Sequence, residues 1–163
     1  MTSPSVLRQV ALGLCWGLPT YGVGVLALLL GKLMLPHHLW GADAGAAMFE
    51  REMPVFQLFF WGVIYAPIFE TFVGQLLPLE ILRRFGARRA LCIAAGALVW
   101  GAGHYLYGGM LHGLVAAASG ALLSYIYLRY REPGVALAYS TATIAHACSN
   151  ALVLIVNYLG LTM

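Results

Sequence analysis

The chain has 163 residues, of which 61% are hydrophobic and 9% charged, with a mean hydropathy of +0.83. That composition excludes a soluble globular domain, and because a membrane-crossing helix uses ~20 apolar residues, about five spans consume nearly the whole length. The formal charge of +3 does not describe a nucleic-acid surface, since the basic residues stand in pairs beside apolar runs and not along one polar face.

In chain order the apolar runs are 9–31, 54–82, 90–109, 113–130 and 134–160. All are expected to be helices, because an open strand cannot satisfy its backbone polar groups in lipid. The fold class is therefore all-α, a polytopic membrane helix bundle of about five spans, with residues 1–163 forming one integral membrane domain. The first run passes Gly22 and Gly24 without a clear small-residue cleavage site and reads as a retained span, not a signal peptide. The second carries Pro54, Pro67 and Pro78, and a kink or break is expected near Pro67, which lacks an N–H. On the fourth, Gly113, Ala117, Gly120 and Ser124 make a small-residue face suited to close helix packing. Cys15, Cys92 and Cys148 all lie in apolar runs, an odd number that speaks for packing and against a disulfide framework.

Arg8, Arg83, Arg84, Arg88, Arg89, Arg129 and Arg131 fall on one side of such a bundle, against Lys32 and Arg51 on the other. By the positive-inside rule the N-terminus is cytoplasmic and the C-terminus outside. The loop 32–53 then faces outward with His37, His38, Trp40, Asp43, Glu50 and Glu52, and it is apolar enough to lie as an interfacial helix.

Glu70, His104 and His146 each sit well inside an apolar run. An ionisable group at the bilayer centre costs at least ~2.5 kcal/mol on insertion scales, so such residues face a bundle interior or a water-filled cavity. At 1.5 Å per residue, Glu70 lies ~20 Å from Arg83, His104 ~22 Å from Arg89, and His146 ~22 Å from Arg131. The three share a depth, and Asn150 follows His146 by one turn on the same face. A carboxylate and an imidazole sharing a water can deprotonate it for attack on a carbonyl, while a second imidazole and an amide donate hydrogen bonds to the oxyanion. That is the chemistry of peptide hydrolysis.

Three segments carry a family resemblance: Ala66-Pro67-Ile68-Phe69-Glu70-Thr71-Phe72-Val73-Gly74-Gln75, Trp100-Gly101-Ala102-Gly103-His104 and His146-Ala147-Cys148-Ser149-Asn150. Together they resemble the motifs of the CPBP family, the CAAX prenyl protease and bacteriocin-processing group of intramembrane endopeptidases. The family pattern runs Glu-Glu-x-x-x-Arg, then an aromatic shortly before a His, then His-x-x-x-Asn, and the motif core here is 66–152. The resemblance implies that Glu70 is the catalytic carboxylate, His104 its partner in activating water, and His146 with Asn150 the oxyanion pair. Thr71 replaces the second glutamate and Gln75 the arginine, so these supporting residues cannot form an ion pair. The short chain looks closer to bacterial Glu-Thr-x-x-x-Gln forms, linked to peptide immunity or to trimming C-terminal sorting signals, than to a eukaryotic prenyl-protein protease.

Two histidines with a glutamate can also be a zinc set. The His-Glu-x-x-His helix is absent, however, and the resemblance implies a metal-free glutamate mechanism with no cofactor, zinc being the alternative. The partners expected are the lipid bilayer and a membrane protein or peptide substrate, and no pattern singles out an oligomeric state. Cys148 is two residues from both His146 and Asn150, about 200° round the helix, and so points away from them. Competing functions are a catalytically idle scaffold or immunity protein, suggested by the altered first motif, and a small transporter with a mid-membrane Glu/His relay. His37, His38 and His112 are expected at the surface or interface and carry no assigned role.

Overall fold

A computed structural model describes residues 6–41 and 53–160, so most of the outward loop, with Asp43, Glu50, Arg51 and Glu52, lies outside the described residues. Among the described residues every regular element is helical. Among the described residues four helices are long and apolar enough to cross a membrane: Leu7–Met34, Val55–Arg84, Arg89–Arg129 and Val135–Tyr158.

The third is 41 residues long, roughly 60 Å if straight and twice a bilayer core. It is not straight. Gly109 has φ 80° and ψ −170°, far from helical values and open to glycine alone, and the chain reverses there. Beyond it the arms pack side by side. A Cβ on Gly101 would meet that of Ala117 at 2.8 Å, one on Gly113 the Cβ of Tyr105 at 2.9 Å, and one on Gly120 the Cβ of Trp100 at 2.7 Å. The small-residue face expected at Gly113, Ala117, Gly120 and Ser124 is the seam of this hairpin, and with the long helix counted as two arms the described residues form five spans. We label them α1 (Val6–Met34), α2 (Val55–Arg84), α3 and α4 (residues 89–108 and 110–129, the arms of Arg89–Arg129) and α5 (Val135–Tyr158).

Span directions follow from which residues meet. On α1, Gly13 and Gly17 lie against Ile144 and Cys148 of α5, so these two helices run parallel. Gly24 and Gly31 lie against Ser119 and Leu111, antiparallel to α4. Cys148 thus faces α1, away from the face shared by His146 and Asn150. The start of α1, the end of α2, the start of α3, the end of α4 and the start of α5 meet at one end of the bundle. Arg8, Arg83, Arg84, Arg88, Arg89, Arg129 and Arg131 all gather there. That end is clamped by Glu80, which accepts hydrogen bonds from the Tyr127 hydroxyl at 3.0 Å and from Arg131 Nη2 at 2.8 Å. The Glu80 bond pushes the Arg131 guanidinium above its ordinary value, which keeps this pair charged. The opposite end carries the short turn His37–Leu39, whose histidines are exposed as expected.

The expected kink at Pro67 takes a specific form. α2 widens twice, over Phe60–Tyr65 and Phe72–Leu76, and each wide turn ends just before a proline pair position: Ala66 donates to the Trp61 carbonyl and Leu77 to the Phe72 carbonyl, five residues back. A proline ring clashes with the carbonyl four residues earlier, and the wider turn relieves that clash. Glu70 stands on the ordinary α-turns between the two, Ala66–Thr71.

We expect Gly120→Leu to destabilise the protein by about 1–3 kcal/mol, because it overpacks the hairpin against Trp100. Thermal melting in detergent reads this directly, with Gly22→Ala, where an added Cβ meets nothing within 4 Å, showing no loss.

Candidate active site

The three mid-span ionisable residues meet. Glu70 Oε2 lies 3.7 Å from His146 Nε2 and 4.0 Å from His104 Nε2, so α2, α3 and α5 each send one group to a common point. Side-chain exposure is 30% for Glu70, 19% for His104 and 6% for His146. Neither contact is short enough for a hydrogen bond, and Glu70 Oε2 is a buried oxygen with no donor among the described residues. Separations of this size are what a single water, ~2.8 Å from each atom, bridges.

What lies behind each ring decides what it presents to the front. His104 Nδ1 is 2.9 Å from the Trp100 carbonyl, which can only accept, so Nδ1 carries the proton and the neutral ring offers the Nε2 lone pair to the site. His146 Nδ1 is 3.4 Å from the Thr71 hydroxyl, a group able to donate or accept. When Thr71 donates, His146 presents Nε2–H. Thr71 is fully buried, so its hydroxyl has few other partners to choose from.

Trp100 seats both rings. It stacks on His104 at 5.8 Å with planes 6° apart and meets His146 edge-on at 4.8 Å. The indole fits because Gly74 and Gly120 leave room for it: a Cβ on Gly74 would lie 2.5 Å from the six-membered ring. Expected at the surface, His112 instead reaches in from α4, its ring 5.1 Å from that of His104 and its Nδ1 buried without a partner among the described residues. The available signal was its position just past Gly109, which turns it back toward His104.

Asn150 does something the sequence did not announce. Its Nδ2 donates to the Gly62 carbonyl at 2.8 Å. In a regular helix that carbonyl would bond Ala66, which here turns to Trp61, and the next donor in line is Pro67, which has no N–H. Asn150 thus supplies the bond that Pro67 removed, and keeps a second amide hydrogen. Tyr139 donates to the Ile68 carbonyl at 2.7 Å, in addition to the Phe72 N–H that this carbonyl already accepts. Gln75 is fully buried, and neither atom of its amide has a partner among the described residues. Nor do any three His, Cys, Asp or Glu among the described residues have the placement to hold a metal ion.

Comparison with known proteins gives one match. The sequence model of the family described as "Type II CAAX prenyl endopeptidase Rce1-like" matches residues 52–152, more than half of the chain and all of the motif core. No curated protein and no solved structure shows a significant match.

Two outcomes follow. Asn150→Ala leaves the Gly62 carbonyl buried without a donor and is expected to cost about 1–3 kcal/mol of stability, read as a lowered melting temperature in detergent. Histidine 15N NMR is expected to find His104 protonated at Nδ1 and bare at Nε2; the reverse tautomer would rule out its acting as an acceptor toward the site.

Proposed function

We propose a specific chemistry on one premise: the chain belongs to the type II CAAX prenyl endopeptidase Rce1-like family and is an intramembrane protease acting on a membrane-associated peptide. The reading is a glutamate-type hydrolysis. A water held by Glu70 Oε2 and His104 Nε2 donates a hydrogen to each and attacks the peptide carbonyl as one of them takes its proton. The oxyanion that forms accepts from His146 Nε2–H, whose tautomer the Thr71 hydroxyl sets, and from the second amide hydrogen of Asn150. Collapse breaks the C–N bond, and the proton taken from water passes to the departing amine.

The observation that carries this is the convergence of two imidazole nitrogens on one donorless carboxylate oxygen, 3.7 and 4.0 Å away, at mid-span. A purely structural ion pair would be expected at hydrogen-bond distance, as Glu80 and Arg131 are. Thr71 and Gln75 favour the Glu-Thr-x-x-x-Gln branch, hence a peptide-immunity role or processing of a C-terminal sorting or lipidated segment. The clustering of the seven arginines at one end supports a cytoplasmic start of α1 and an outward end of α5, in a bacterial inner membrane.

The test compares peptide termini in membrane fractions from cells expressing wild type or the isosteric Glu70→Gln at matched levels, with and without a strong chelator. New termini that fall by about a hundredfold or more in the variant and survive chelation are expected. Termini that vanish on chelation would replace this mechanism with a zinc one, and identical termini in wild type and variant would leave the idle-scaffold reading in its place.

A further inference from the structure

The basic end of the bundle holds a cavity of about 390 Å³ that the chemistry above does not use. Arg83, Arg89 and Arg129 line it, the buried Cys92 and Leu128 close its inner side, and the exposed Glu132 stands at its rim. Its charge is unbalanced. Arg83 lies 3.9 Å from Glu80 and 3.7 Å from Glu132, but Glu80 is already committed to Arg131 and Tyr127. Arg89 rests over the Tyr125 ring at 4.9 Å and Arg129 over Tyr130 at 5.7 Å, and among the described residues neither has a carboxylate within 4.0 Å. Three guanidiniums therefore face one largely solvated carboxylate across a concave site.

Position identifies the kind of anion. The cavity lies where α2 ends, α3 begins and α4 ends, the level at which spans leave the hydrocarbon and meet headgroups. Phe85 and Leu91, both exposed apolar side chains, follow Arg83 and Arg89 by two residues each and give this end of the bundle apolar surface for an acyl chain. Arginine pairs phosphate oxygens two at a time, and basic pockets between spans suit lipid phosphates.

We propose that this cavity binds the phosphate headgroup of an anionic phospholipid from the adjoining leaflet. The proposal does not depend on the catalytic reading, because it concerns binding at the far end of α2 from Glu70's neighbours on α5 and needs no turnover.

Native mass spectrometry of the full chain in detergent tests it, with phosphatidylglycerol and phosphatidylcholine of identical acyl chains as probes. Wild type is expected to retain phosphatidylglycerol preferentially, by a margin that falls about fivefold for each guanidinium removed in Arg89→Gln and Arg89→Gln/Arg129→Gln. Glu132→Gln, which removes the opposing charge, is expected to raise retention, a change of sign that misfolding would not produce. Equal retention of the two lipids by wild type overturns the proposal without reference to any variant. So does undiminished preference in the double variant. Displacement of the lipid by millimolar inorganic phosphate alone would reassign the cavity to a soluble phosphate and overturn the lipid assignment.

Discussion

Hydrocarbon offers a protein backbone no hydrogen bonds, and much of this structure follows from how one broken bond is repaired. The wide turn ahead of Pro67 draws the Ala66 N–H to Trp61, Pro67 itself has none to offer, and Asn150 of α5 supplies the donor that the Gly62 carbonyl then lacks, at 2.8 Å. The repair ties the helix that carries Glu70 to the helix that carries His146, four residues from Asn150. A proline that would merely bend a soluble helix becomes, in lipid, a reason for two helices to hold a fixed register. Tyr139 adds a second tie at the Ile68 carbonyl, so α2 is pinned to α5 on both sides of Pro67, just ahead of Glu70.

The other half of the site depends on close contact as well as on hydrogen bonding. Lipid provides no hydrophobic drive for helices to associate, so close packing of small residues must supply the attraction. Gly74 on α2 and Gly120 on α4 admit the Trp100 indole, and the rings of His104 and His146 both lean on that indole. The hairpin contact at Gly120 and the seating of the histidine rings thus share one side chain, Trp100.

How much of this could be read from residues alone depends on range. Depth was legible, because a helical rise and a set of terminal arginines act as a ruler: the three groups placed at ~20–22 Å from their arginines do meet. The hairpin seam was legible in the spacing of Gly113, Ala117, Gly120 and Ser124, and the seven arginines do share one end. The reversal at Gly109 refines the expected break between the third and fourth runs to a single residue. The partner of the Gly62 carbonyl was not legible, since no local pattern says which distant amide will replace a lost N–H. His112 escaped for a similar reason: a turn of one residue brings it against His104, while a loop of several would have left it at the surface. The clamp of Glu80 on Arg131 joins residues 51 apart, and nothing near Glu80 names its partner.

Thr71 and Gln75, one turn apart and both sealed from solvent, stand where the family pattern has a glutamate and an arginine. Restoring the arginine alone would bury a cation with no counter-ion, and restoring the glutamate alone would set a second carboxylate beside Glu70; each intermediate carries the penalty of an unpaired buried charge. The two positions are therefore coupled: a neutral pair, as here, or a charged pair avoids an unpaired buried charge, and a single exchange at either position does not.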